Sequence, residues 1–145
     1  MRRVLLLVAG FMTASAVQAV SPMPLCSPTP EERAAGLGDA YSLLWWGQGH
    51  VLYTTQAEGG TPALFFLDDC RGARRLRMTL PTMATADAAR AAGGRLNVAL
   101  EDALTAERTH SMTEIAGIAR AEGAATELGA VDYASCACNT FGAAN

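Results

Sequence analysis

The sequence predicts an α+β domain in which a small antiparallel β-meander of about four strands, over 41–80, packs with Ala-rich C-terminal helices and is tied by disulfides. Three observations predict it. Short runs rich in Tyr, Trp, Val, Leu and Phe alternate with Gly-containing turns between 41 and 80, the pattern of hairpin-connected strands. After Pro81 the composition becomes Ala-rich, with apolar residues at helical spacing. Four cysteines, an even number, lie behind a leader of secretory type. Strands first and helices second is the order of an α+β fold, and 145 residues make one domain.

The first segment reads as a cleavable signal peptide over 1–19. Arg2 and Arg3 form a positive start, 4–12 form an apolar stretch, and Val17-Gln18-Ala19 places small or modest side chains where a signal peptidase needs them. About nine apolar residues span roughly 14 Å as helix, under half of a bilayer's hydrocarbon core, so a permanent membrane span is not expected. Cys26 follows Pro24-Leu25 rather than the small residues of a lipoprotein site. Cleavage near Ala19 leaves 20–145 as a single exported domain and, by removing Arg2 and Arg3, takes the formal net charge from −3 to −5. An acidic chain lacks the basic face that nucleic acid or anionic membrane requires. All 11 basic residues are Arg and none is Lys. With the abundance of Ala, this fits coding bias in a GC-rich bacterial genome, which makes the periplasm, or secretion, the expected destination.

The mature chain opens with a Pro- and Ser-rich stretch over 20–29, expected to be extended and pinned by Cys26. Thr29, Pro30 and Glu32 then supply an N-cap, a first-turn proline and the third member of a capping box, and Gly36 and Gly38 end that short helix. Residues 41–46 and 50–56 are β-rich runs around Gly47-Gln48-Gly49, read as a three-residue hairpin loop. A second loop over 58–62 precedes 63–69, whose Leu64, Phe65, Phe66 and Leu67 are apolar on both faces and suit a central strand. A turn at 70–73 leads to 74–80, where Leu76, Met78 and Leu80 share one face and Arg75, Arg77 and Thr79 the other.

Beyond Pro81, 84–92 reads as a helix stopping at Gly93-Gly94. Residues 95–101 fit both a helix and a strand, with the balance toward helix. Ser111 and Glu114 form another capping box, opening a helix to about Glu122, and the tail from Gly123 reads as irregular.

Cys26, Cys70, Cys136 and Cys138 read first as a disulfide framework. Bonding Cys136 to Cys138 would close a strained ring across Ala137, so Cys26 and Cys70 are each expected to bond one member of the C-terminal pair. The alternative is a thiol-redox or metal-handling pair at Cys136-Ala137-Cys138. It lacks the C-x-x-C spacing and any surrounding βαβ pattern, and neither His50 nor His110 stands at a ligand spacing from the cysteines.

Few residues invite chemistry. Arg71, Arg74, Arg75 and Arg77 could clamp a carboxylate, but Asp68 and Asp69 stand just across the turn and offer exposed cross-strand pairing instead. Trp45 and Trp46, near His50, form a candidate contact surface. Alternation sends one tryptophan toward the core side, leaving the other either covered by a helix or exposed to a partner or a sugar. His110 reads as a capping-region residue, and Glu101, Asp102 and Glu107 as a solvated face. There is no nucleophile elbow, zinc-protease, P-loop or dinucleotide motif. No catalytic residue, metal ligand or cofactor site is assigned; with two histidines and no lysine the stock of general bases and amine nucleophiles is small, and an enzyme would rest on a carboxylate-based site. The sequence therefore leans toward a non-catalytic binding or interaction domain with a protein or small-ligand partner.

Overall fold

The computed structural model describes residues 22–23, 30, 41–131 and 136–139. The expected leader over 1–19, Cys26 and the expected helix start around Thr29 lie outside them, Pro30 excepted. No helix of the described residues is long and apolar enough to cross a membrane.

Six strands form one sheet in sequence order, every neighbouring pair antiparallel. They are β1 (Pro22–Met23), β2 (Tyr41–Gly47), β3 (His50–Thr54), β4 (Phe65–Asp69), β5 (Arg74–Thr79) and β6 (Ala125–Ala130). Two helices, α1 (Ala86–Thr105) and α2 (Met112–Ala121), intervene between β5 and β6. The four expected strands over 41–80 are thus present, flanked by the two-residue β1 and by β6.

Both faces of the sheet are covered, which is why β3 and β4 are apolar on both sides. On one face Leu52, Phe65, Leu67, Leu76 and Met78 pack against Leu96 and Leu100 of α1 and Met112 and Ile115 of α2. On the other, Tyr41, Val51, Tyr53 and Phe66 pack against Cys70 and the 136–138 segment. A disulfide joins Cys70 to Cys138, with Cα atoms 5.4 Å apart, tying the β4–β5 turn to the C-terminal segment. Cys136 is disulfide-bonded as well, and no described cysteine is free.

Four readings of the sequence need correction. The β2–β3 loop has two residues, not three: Gly47 pairs with His50, and Gln48 and Gly49 both take positive φ, 52° and 79°, as the tight hairpin twist requires. The first helix does not stop at Gly93-Gly94 but runs through to Thr105. Each glycine costs about 1 kcal/mol against alanine, while the buried stripe Ala89, Ala92, Leu96, Leu100 and Ala103 continues across them. Residues 95–101 are accordingly helical, with Val98 58% exposed between buried Leu96 and Leu100, where a strand would hold all three on one face. The tail after Gly123 is not irregular throughout, because 125–130 forms β6 against β5. Lastly, the Asp68–Arg75 pair is not exposed. Asp68 is fully buried, and its carboxylate accepts from Arg75 Nε at 2.7 Å, Arg75 Nη2 at 2.9 Å and Tyr53 OH at 2.9 Å.

Candidate functional site

The site residues proposed from sequence sit at the β2–β3 hairpin end, and the local backbone decides which of them meet. A β-bulge falls between Leu43 and Trp45: Leu43 opposes Tyr53 and Trp45 opposes Leu52, leaving Leu44 as the extra residue. Leu44 and Trp45 consequently both pack toward the helix-covered core, though adjacent in sequence. Trp46 opposes Val51, whose side chain belongs to the disulfide-side core. The two tryptophans therefore lie on opposite faces, Trp45 half-buried and Trp46 55% exposed.

The hairpin tip is held firmly. Gly49 O accepts from Cys70 N at 2.9 Å, linking the tip to the disulfide turn. A Cβ at Gly49 would come within 2.9 Å of the Arg71 side chain, and its φ of 79° is one that glycine alone adopts easily.

His50 shares Trp45's face, and there the structure adds residues far away in sequence. A cleft of about 50 Å³ is lined by Trp45, Gln48, His50, Leu104, Arg108 and His110, among others. The chain's two histidines thus face one cleft, although 60 positions separate them. Both rings use Nδ1 against a main-chain oxygen: His50 on Gln48 O at 3.2 Å and His110 on Ala103 O at 3.1 Å. A carbonyl only accepts, so Nδ1 carries the proton in each ring. In the neutral form Nε2 is then the acceptor. His110 in this way satisfies one of the last carbonyls of α1, the role of a C-terminal capping side chain.

The cleft's second wall is the α1–α2 connection. Ser111 N-caps α2, its Oγ accepting from Glu114 N at 3.1 Å, as the capping pattern predicts. The Glu114 carboxylate accepts from Arg108 Nη2 at 2.7 Å rather than turning back to the cap. That hydrogen bond, reinforced by the Arg108 charge, holds the Glu114 carboxyl below its ordinary pKa despite some opposing desolvation.

This geometry can hold a small polar group between an indole, two imidazoles and an arginine. A volume of about 50 Å³ suits a small group of atoms or a few waters, since one water needs about 10–15 Å³ by the same measure. Among the described residues each imidazole is hydrogen-bonded to a main-chain oxygen and not to a hydroxyl, thiol or carboxylate. No group of three or more His, Cys, Asp and Glu among the described residues could hold a metal ion.

The arginine cluster does not converge on a clamp. Arg75 is committed to Asp68 and lies over Tyr53 and Phe66, its guanidinium carbon 5.9 and 5.7 Å from their ring centroids. Arg71 and Arg74 are exposed and Arg77 is half-buried. Asp69, across from Arg74 in register, accepts from Gly72 N at 2.9 Å and so shapes the turn. Leu104, Arg108 and His110 were not legible as partners of His50, because no local spacing relates the β2–β3 tip to the α1–α2 connection.

Fold and site together define a class: an α+β domain, disulfide-tied, whose described residues form a six-stranded antiparallel sheet with two helices over one face, and an aromatic hairpin beside a histidine-lined cleft. No protein family, curated protein or solved structure matches the chain.

Proposed function

We propose that this protein is an exported, disulfide-stabilised binding or interaction domain that acts without catalysis and makes contact through the β2–β3 hairpin end. The observation that carries the reading is Trp46, 55% exposed on a tightly held hairpin. A large apolar side chain presented on rigid backbone gains contact area at little entropic cost. Trp45 and His50, on the opposite face, form the cleft that would take a small polar group of the partner.

Export to the periplasm or beyond is supported by the leader-like 1–19 segment and by disulfide-bonded cysteines in the described part of the chain. The thiol-redox or metal-handling reading of Cys136 and Cys138 has less behind it. Cys138 is bonded to Cys70 and fully buried, and Cys136 is buried too, whereas exchange chemistry needs an accessible thiolate.

The test compares Trp46→Ala with Trp45→Ala in partner capture by crosslinking from the exporting host. Trp46→Ala should abolish capture while lowering the melting temperature less than Trp45→Ala, which loses packing against the core. Capture that survives Trp46→Ala would refute the hairpin as the contact surface. Alkylation before reduction should label no cysteine, whereas adducts at Cys136 and Cys138 would favour the redox alternative.

A further inference from the structure

We propose that the outer face of α1 is a self-association surface, on which a second copy of this chain packs its own α1 antiparallel about a two-fold axis beside Val98. The face is apolar at its centre: Val98 is 58% exposed and, with Trp46 and Leu128, is one of three exposed large hydrophobic side chains among the described residues. Around it Ala91, Gly94, Arg95, Ala99 and Asp102, with Glu122 from the end of α2, line a shallow groove of about 710 Å³.

The charges on this face say what would cover it. After Arg90, which pairs with Asp87 one turn earlier, the helix carries Arg95 in its first half and Glu101 and Asp102 near its end, with no basic residue in the last turn. Asp87 in the first turn suits the helix dipole, but Asp102 in the last turn opposes it, because that end favours basic side chains. Nor does the helix satisfy these charges by itself. Arg95 and Asp102 are seven positions apart, about 10 Å along the axis, whereas side chains meet at three or four. No ion pair joins Arg95, Glu101 or Asp102 to any described residue.

An antiparallel second copy removes both conflicts. Val98 lies midway between Arg95 and Asp102, so a dyad beside it places Arg95 against Asp102 of the second copy and Asp102 against that copy's Arg95. The two valines then meet near the axis. Parallel pairing would set Arg95 on Arg95 and is disfavoured by like-charge repulsion. Such self-complementarity is what a two-fold interface demands, one patch serving both partners, and opposed charges fix its register.

The test is sedimentation equilibrium on the full oxidised mature protein at low salt, up to about 100 µM, where a contact of even modest affinity is populated. Wild type should show the dimer mass, weakening as salt screens the exposed pairs. Arg95→Asp and Asp102→Arg should each weaken the dimer by about tenfold or more, and Val98→Glu should abolish it. The doubly substituted R95D/D102R chain should recover the dimer, because both pairs re-form with their signs exchanged. All three positions are exposed, so circular dichroism should show the wild-type fold. Wild type that stays monomeric throughout would overturn the proposal. So would a dimer indifferent to these substitutions, or a double exchange no better than either single change. Trp46→Ala should leave the dimer intact, which separates this surface from the hairpin contact.

Discussion

Truncating Asp68 to alanine should be among the most damaging single changes to this protein's stability, and its cost can be worked from the contacts. The carboxylate has no exposure and accepts hydrogen bonds from two Arg75 nitrogens and from Tyr53 OH. Its removal takes from the buried Tyr53 hydroxyl the bond it donates to Asp68, costing about 1–3 kcal/mol. It also leaves the Arg75 guanidinium, only 11% exposed, without its carboxylate. Breaking a buried pair by removing one partner costs about 3–5 kcal/mol in total, against about 0–1 kcal/mol for an exposed pair. For a chain of this size that lowers the melting temperature by about 10 °C. Urea unfolding of the oxidised protein, followed by tryptophan fluorescence, measures it as a shifted midpoint at constant slope. Tyr53→Phe should cost less, about 1.5–3 kcal/mol, since only one bond to the charge is lost. Replacing both partners together, as Asp68→Leu with Arg75→Met, should recover much of the loss because no charge then remains buried. A cost below about 1 kcal/mol for Asp68→Ala would refute the reasoning, since it would place the pair in the exposed class.

Three further outcomes are expected. Replacing Cys70 and Cys138 together with serine removes a link across 68 positions; chain entropy alone puts the loss near 4 kcal/mol, read as an earlier urea midpoint. Gly117→Ala in α2 should raise stability by about 0.5–1 kcal/mol, because a Cβ there meets only Arg120 Nη2 at 3.8 Å; thermal melting checks it. A carboxyl titration by NMR should find Glu114 below the ordinary glutamate value, with Arg108→Ala raising it, because the Arg108 hydrogen bond favours the charged form. Since the folded-state value is depressed, this contribution to stability is present above the unfolded pKa and is lost as pH falls through the folded one.

Some of this architecture could be read from short stretches. Leu76, Met78 and Leu80 alternate with Arg75, Arg77 and Thr79, and the strand buries the first set as that alternation implies. Leu64 to Leu67 are apolar without alternation, which marks a strand covered on both sides, and Phe66 and Leu67 are indeed fully buried on opposite faces. Ser111 caps α2 because a hydroxyl three residues before Glu114 can reach its N–H.

Apart from the length of the β2–β3 loop, what could not be read locally has one cause: the deciding partner lies far away along the chain. Residues 125–130, ATELGA, lack the β-branched and aromatic enrichment of a strand and are mostly exposed, and they become β6 because the edge of β5 supplies hydrogen-bond partners. Gly93 and Gly94 look like a stop, yet the sheet beneath holds Leu96 and Leu100 in place and carries the helix through. The four cysteines announced crosslinking, whereas the choice of Cys138 for Cys70 needed the turn and the C-terminal segment to meet over Tyr53 and Phe66. The same covering buried the Asp68–Arg75 pair, and only folding brought His110 to the cleft of Trp45 and His50. Strand alternation, turn chemistry and caps act within a few residues and are written in order along the chain. Burial, edge pairing and clefts depend on which distant surfaces exclude water together, and those the tertiary structure decides.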